Sequence, residues 1–155
     1  MVDKARKANR ADMTIVRTFD APRELVWKAW TDPKRLAQWF GPKGFTNPVC
    51  EADARPSGVM RITMQAPNGT QYPMTAIYAE VVPLERLVWN TSVEQGGGVS
   101  FDIHQVTTFV ERDGKTEVTL QAFITRATPE AAGALSGMEE GWSMSLDKLE
   151  ALLAR

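Results

Sequence analysis

The side chains that could perform acid–base chemistry in this chain are few and form no recognisable catalytic motif. His104 is the only histidine, and it lies in a β-like run on the same face as Val106 and Val110. Imidazole is the side chain whose ordinary pKa suits acid–base catalysis near neutral pH, so such a mechanism has this one candidate. A lone histidine is more often structural or exposed. His104 is therefore a candidate catalytic residue, with a structural role as the alternative.

Acidic side chains supply the second set of candidates. Glu51 and Asp53 share one strand face, which is typical of solvated or ion-paired carboxylates. Glu80 differs, because it shares a face with Tyr78 in a segment, residues 71–82, whose inward or outward phase the pattern leaves open. A buried Glu80 would have a raised pKa and could orient a polar ligand group, whereas an outward phase puts it at an exposed edge.

Cysteine, metal and phosphate chemistry find little support in the sequence. Cys50 is the only cysteine, so neither an internal disulfide nor a cysteine-based zinc site can form, and we expect a buried structural thiol. The segment Gly96-Gly97-Gly98 lacks the lysine and the strand-loop-helix setting of a phosphate loop. It indicates a flexible hairpin or the rim of a pocket. We expect neither a metal nor a cofactor.

Charge and composition limit the classes of partner that we expect this chain to bind. The 155 residues carry a formal net charge of -1, which offers no basic field for nucleic acid. No stretch approaches about 18 apolar residues, and no apolar segment follows the basic first residues as it would in a signal peptide. These features favour a cytoplasmic protein that binds neither nucleic acid nor a membrane, as a monomer or a homodimer. Residues 1–11 are expected to form a flexible arm, and residues 12–155 a single domain.

Turn and helix signals divide the chain into an ordered series of elements. A β-like run from Met13 to Phe19 is followed by two short helices, whose starts are marked by Asp20-Ala21-Pro22 and Thr31-Asp32-Pro33. Between residues 45 and 125, alternation of apolar and polar residues indicates strands with one apolar face. Five turn signals separate these strands: Pro56-Ser57-Gly58, Pro67-Asn68-Gly69, Pro83-Leu84-Glu85, Gly96-Gly97-Gly98 and Asp113-Gly114.

The last segment predicts an amphipathic helix about six turns long. Thr128-Pro129-Glu130 supplies an N-cap hydroxyl, a first-turn proline and an acid near the positive end of the helix dipole. Seven apolar side chains then fall within one arc of roughly 120°: Leu135, Met138, Trp142, Leu146, Leu149, Leu152 and Leu153. The apolar face of the sheet is the only large partner for this stripe. Because a helix laid across a curved sheet need not fill the space at both ends, we expect an internal cavity.

Methionine and aromatic side chains on the predicted inner faces are the candidate ligand contacts. Methionine adapts its shape at low cost, which suits a pocket for varied apolar ligands. Simple core packing is the alternative at each position. The candidate ligand-binding residues are Met60, Met64, Met74, Tyr78, Trp89, Met138 and Trp142.

Several local strings resemble a known family. They are Arg17-Thr18-Phe19-Asp20-Ala21-Pro22, Val26-Trp27-Lys28-Ala29-Trp30-Thr31-Asp32-Pro33 and Leu36-Ala37-Gln38-Trp39-Phe40-Gly41-Pro42. Together with the order of elements, they resemble the heat-shock protein 90 ATPase activator homology family of the SRPBCC (START-like, helix-grip) superfamily. Ser57 and Ala76 depart from the family pattern, since each stands where the family often has glycine.

The resemblance implies an α+β helix-grip fold, similar to that of Bet v 1. In this fold a curved antiparallel sheet of six or seven strands wraps around a long C-terminal helix. The superfamily includes lipid and hormone binders, polyketide aromatase/cyclases and a co-chaperone domain. Our leading hypothesis is therefore the binding of a small hydrophobic or aromatic ligand. The alternatives are a chaperone-interacting, stress-response module and an aromatase/cyclase-type enzyme, which would need His104 or Glu80 inside the pocket.

Overall fold

Seven strands form one antiparallel sheet in the computed structural model, which describes residues 11–154. The strand order is β1-β7-β6-β5-β4-β3-β2, so the first strand pairs with the last. In chain order the elements are β1 (Met13–Phe19), α1 (Arg23–Thr31), α2 (Pro33–Trp39), β2 (Thr46–Ala52), β3 (Val59–Gln65), β4 (Gln71–Val82), β5 (Arg86–Glu94), β6 (Ser100–Arg112), β7 (Lys115–Ala127), α3 (Ala132–Ser136) and α4 (Met138–Leu153). This order confirms the predicted helix-grip fold. The predicted arm, residues 1–11, lies outside the described residues except for Ala11.

The five predicted turns each connect successive strands between β2 and β7. The β6–β7 turn shows why the sequence marks them well. Asp113 and Gly114 both have positive φ, at 54° and 76°, between the paired residues Arg112 and Lys115. A two-residue hairpin needs this conformation because its twist then matches that of the strands, and Asp-Gly adopts it readily.

The two short helices begin by different means. Helix α2 begins where predicted, and Asp32 caps it, because its carboxylate accepts a hydrogen bond of 3.0 Å from the Lys34 backbone amide. At α1, Pro22 occupies the N-cap position and supplies no side-chain cap. Instead, the Arg23 amide donates a hydrogen bond of 2.6 Å to the Glu111 carboxylate of β6. The start of α1 therefore depends on a contact across the fold as well as on its own sequence.

The C-terminal helix is shorter than the sequence predicts. A 3-10 turn (Pro129–Ala131) and the one-turn helix α3 precede α4, and Gly137 separates α3 from α4. The Thr128 hydroxyl does not cap a helix, because it donates to the Gly98 carbonyl at 2.7 Å and accepts from the Ser100 amide at 3.1 Å. These bonds tie the segment to the β5–β6 hairpin, and glycine has low helix propensity. The continuous helix expected from Thr128 is therefore wrong for its first two turns.

Helix α4 packs mostly against β1, α1 and α2. Leu146 and Leu149 are fully buried on its inner side, and the Ser145 hydroxyl accepts a hydrogen bond of 3.0 Å from the Gly41 amide after α2. On its outer side, Asp147 forms an ion pair with Arg17 of β1. The helix is thus anchored along one side of the sheet, and the concave face of β3 to β6 is left partly uncovered. None of the described helices is long and apolar enough to span a bilayer.

Ser57 has φ of 70°, which lies in the left-handed region that favours glycine. This conformation costs about 1–2 kcal/mol for a residue with a Cβ atom, and glycine avoids that cost but loses about 0.5–1 kcal/mol in chain entropy. We expect Ser57→Gly to raise the free energy of unfolding, measured in urea, by about 0.5–1 kcal/mol. Ser57→Ala keeps the Cβ atom and should give no gain. A Ser57→Gly variant less stable than the unmodified protein would contradict this account.

Candidate functional site

An apolar cavity of about 240 Å³ lies between the concave face of the sheet and the helices α3 and α4. Its sheet side is formed by residues of β3 to β6, among them Met64, Met74, Trp89, Thr91, Ile103 and Gln105. Its helix side includes Leu135, Met138 and Trp142. Among the described residues that line the cavity, none carries a charge. A space of this character suits a neutral, mostly apolar molecule.

Five of the seven candidate ligand-binding residues line this cavity: Met64, Met74, Trp89, Met138 and Trp142. Met60 and Tyr78 lie instead in the closed core, where each is at most 1% exposed. The Tyr78 hydroxyl donates a hydrogen bond of 3.7 Å to the Met60 sulfur. Burial raises the pKa of the Tyr78 hydroxyl well above its ordinary value, so it stays a hydrogen-bond donor. The structure thus places these two residues behind the cavity wall.

Aromatic packing closes one end of the cavity. The Trp142 ring stacks on Trp30 with a centroid distance of 5.8 Å and an interplanar angle of 9°. Phe40 meets the same Trp142 ring edge to face at 5.4 Å. On the sheet side, Trp89 lies 6.0 Å from Trp30. Rings held on several sides cannot reorient freely, so this end of the cavity is rigid before any ligand enters.

A β-bulge determines which way the candidate acid on β4 points. Tyr78 pairs with Trp89, but Glu80 pairs with Val88, so the intervening Ala79 is an extra residue in the strand. The bulge reverses the side-chain phase and turns Glu80 to the outer face. There its side chain is 48% exposed and pairs with the Arg86 guanidinium at 3.2 Å. Of the two positions that the sequence allowed for Glu80, buried or exposed, the structure shows the exposed one.

His104 also lies on the outer face, because its neighbour Gln105 faces the cavity and side chains alternate along β6. Its Nδ1 lies 2.7 Å from the Asn90 side-chain oxygen on β5, and its ring packs 6.0 Å from Phe123 on β7. Neither His104 nor Glu80 reaches the cavity. The aromatase/cyclase hypothesis required one of them inside it, so it loses both of its candidate groups.

Gln105 is a polar residue of the cavity wall that was not among the predicted site residues. It is 4% exposed, and its Nε2 atom has no hydrogen-bond partner among the described residues. A buried amide without a partner costs about 1–3 kcal/mol. Thr91, on the neighbouring strand β5, lines the same wall. The alternation of Phe101, Ile103 and Gln105 against His104 was the available signal, since it places Gln105 among inward apolar residues.

Cys50 has no catalytic environment. It pairs with Ile62 of β3 and packs half-buried against the core. Burial raises the pKa of its thiol to about 11, so the reactive thiolate is scarce at neutral pH. Within the described part of the chain, no three His, Cys, Asp or Glu side chains come together to hold a metal ion.

A second hollow, of about 490 Å³, lies beside the start of α1 and is larger than the apolar cavity. Its lining includes four charged residues, Arg23, Glu85, Arg86 and Glu111. Glu85 and Glu111 are exposed, and the Arg86 guanidinium pairs with Glu80. Charged walls of this kind are well hydrated, so an apolar molecule would gain little free energy by moving from water into this hollow. The apolar cavity is therefore the better candidate for a ligand site.

Comparison with known proteins places this fold in a family. The sequence model described as "Activator of Hsp90 ATPase homolog 1-like protein" matches residues 20–154. No functionally curated protein matches the chain. Among solved structures, a protein from Nitrosomonas europaea is similar at 27% identity over 93% of this chain and 94% of its own, with a TM-score of 0.78.

Two further solved structures show the same similarity. A protein from Chromobacterium violaceum has 27% identity over 92% of this chain and 96% of its own, with a TM-score of 0.74. The AHSA1 protein from Silicibacter pomeroyi has 25% identity over 93% of this chain and 98% of its own, with a TM-score of 0.76. The similarity extends over nearly the full length of each relative, so it covers both the sheet and the helices.

The raised pKa of Cys50 predicts slow alkylation of the folded protein. With a pKa of about 11 against an ordinary 9.0, the thiolate fraction at pH 8 is about 100-fold lower than in the unfolded chain. We expect iodoacetamide to react at least about 100-fold more slowly with native protein than with protein in urea. The native rate should keep rising up to pH 10. A native rate that levels off near pH 9 would contradict the buried thiol.

Proposed function

We propose that this chain, which belongs to the family of activator of Hsp90 ATPase homolog 1-like proteins, binds a small hydrophobic or aromatic molecule. The proposed site is the cavity between the concave sheet and α4. The observation that carries the proposal is the character of this space: about 240 Å³, lined without charged side chains, and closed at one end by stacked tryptophans. Its walls would be solvated poorly by water and well by an apolar ligand.

The energetics favour a ligand of about two fused rings. Burial of about 200 Å² of apolar ligand surface contributes about 5 kcal/mol before the costs of association. Trp89 and Trp142 offer flat, fixed surfaces on opposite sides of the cavity, and Met64, Met74 and Met138 offer adaptable ones. A rigid end combined with methionine walls supports binding of several related molecules rather than one exact shape.

The chaperone-module alternative draws its support from the family description alone. A docking function would favour a contiguous apolar patch on the surface. Most exposed apolar side chains of the described strands pair with polar residues, and only Ile77 also has an apolar cross-strand neighbour, Val59. The polar pairs are Val16 with Thr119, Val49 with Thr63, Ile77 with Asn90 and Val110 with Glu117. Stimulation of a chaperone ATPase by the purified protein would be the observation in its favour. Ligand binding is the function that the geometry of this chain supports better.

Methionine methyl resonances provide a local test of the binding site. We expect titration with 2-methylnaphthalene, followed by NMR of protein labelled with ¹³C-methyl methionine, to shift the signals of Met64, Met74 and Met138. The reason is that these three side chains line the cavity. Met13 lies on β1, outside the cavity lining, and should not shift. Equal shifts at all methionines, or none at saturating probe, would contradict the proposed site.

Substitutions on the two faces of β6 give matched controls for this titration. Ile103→Trp puts a bulky indole ring into the cavity and should abolish binding, whereas His104→Trp puts the same ring on the outer face and should leave binding intact. Trp142→Ala removes a cavity wall without adding bulk, and should weaken binding about tenfold through lost apolar contact. Unchanged affinity in Trp142→Ala would place the probe elsewhere. Circular dichroism and thermal unfolding establish that each variant is folded.

A further inference from the structure

One polar group on the wall of the cavity is left without a partner. Gln105 lies on the inner face of β6, directly opposite Trp89 of β5. Its Nε2 atom is fully buried and has no hydrogen-bond partner among the described residues. Ile103, two residues earlier on the same face, is apolar and lines the same cavity. An apolar residue at position 105 would avoid the cost of an unpaired buried amide. Glutamine at this position therefore destabilises the folded protein when no ligand is bound.

The other polar side chains of the cavity are not left as buried groups without a hydrogen-bond partner. The Ser145 hydroxyl accepts a hydrogen bond from the Gly41 amide at 3.0 Å and donates one to the Gly141 carbonyl at 3.1 Å. Tyr72 and Gln95 are only half-buried, so water can reach them. Thr91 is buried, but its hydroxyl is not among the described buried side-chain atoms that lack a partner. Gln105 is therefore the group in the cavity that a ligand could satisfy.

The electrostatic surroundings determine what kind of group would do so. Lys148, the one lysine of α4, is not among the residues that line the cavity. Its ammonium group donates a hydrogen bond of 3.3 Å to the Pro42 carbonyl. A carboxylate or phosphate in the cavity would lose its hydration without a cationic partner on the lining. A neutral oxygen loses much less hydration free energy when it enters the cavity. A hydroxyl has the further advantage that it can accept from Nε2 and donate to the amide oxygen of the same side chain.

We propose that the ligand of this cavity is an uncharged, mainly apolar ring compound bearing one hydroxyl or carbonyl oxygen, which accepts a hydrogen bond from Gln105. This inference rests on the proposed function and narrows its ligand class. The rings occupy the space between Trp89 and Trp142, and the oxygen lies against the wall formed by β5 and β6. Gln105 thereby selects oxygenated ring compounds over hydrocarbons and over carboxylates of the same size.

A comparison of matched probes tests the hydrogen bond. The dissociation constants of 2-naphthol and 2-methylnaphthalene, which differ by a hydroxyl in place of a methyl group, are measured by methionine methyl NMR at pH 7. The preference for the hydroxyl is the ratio of the two constants. We expect Gln105→Met to reduce this preference about tenfold, equivalent to about 1.4 kcal/mol. Gln121→Met, the same substitution on the outer face of β7 and away from the cavity lining, should leave it unchanged.

The outcomes separate this inference from the proposed function. If both probes bind and the preference is the same in the unmodified protein and in Gln105→Met, the hydrogen bond is refuted while the cavity remains a binding site. If neither probe binds, the proposed function fails and the inference with it. The ionised analogue 2-naphthoate should bind at least tenfold more weakly than 2-naphthol, and tighter binding would refute an uncharged ligand. Gln105→Leu repeats the test should Gln105→Met fail to fold.

Discussion

The packing around Trp30 is the interaction on which the architecture of this protein depends. Its fully buried indole contacts Trp39 at 4.8 Å, Trp142 at 5.8 Å, Phe109 at 5.9 Å and Trp89 at 6.0 Å between ring centroids. Through these rings, α1 is joined to α2, to α4 and to the strands β5 and β6. Each aromatic pair contributes about 0.5–1.5 kcal/mol beyond the burial of its surface. The Trp30 Nε1 atom is buried without a partner among the described residues, so packing must outweigh that cost.

The same cluster explains why a cavity exists at all. Large rings between α4 and the sheet keep the helix backbone away from β5, because indole groups cannot be compressed or displaced without strain. Beyond Trp142 toward α3, the chain supplies the small residues Gly137 and Gly141, which cannot fill the separation that the rings create. The space therefore results from large side chains at one end and small ones at the other. Polar side chains that could do chemistry point outward, and a neutral apolar interior is left.

Much of this fold could be predicted because its signals are local. The turn at Asp113-Gly114 and the cap at Asp32 depend on a few neighbouring residues, and they lie where the sequence places them. Strand phase could be predicted where alternation is unbroken, as from Met60 to Met64. On β4 it could not, because the extra residue Ala79 changes the phase after Tyr78 and only the pairing with β5 reveals it.

Other features were beyond sequence reasoning because distant segments determine them. The break at Gly137 accompanies the hydrogen bonds of Thr128 to the β5–β6 hairpin, which take the hydroxyl away from a helix cap. The Trp30 cluster assembles rings from five elements, and no local pattern in the sequence shows that these rings meet. Gln105 was not predicted as a cavity residue, although its alternation with His104 places it on the apolar face of β6. Its importance depends on the absence of a hydrogen-bond partner for its buried amide, and only the packed structure shows that.

The aromatic rings hold α4 off the sheet, so that an apolar space remains beneath Trp142. Crystals of the protein under xenon pressure test for this space, because xenon enters apolar cavities and is located by its anomalous scattering. We expect a xenon site between Trp142, Met74 and Trp89, in the cavity of about 240 Å³. Side chains collapsed into this space, with no xenon bound there, would contradict it.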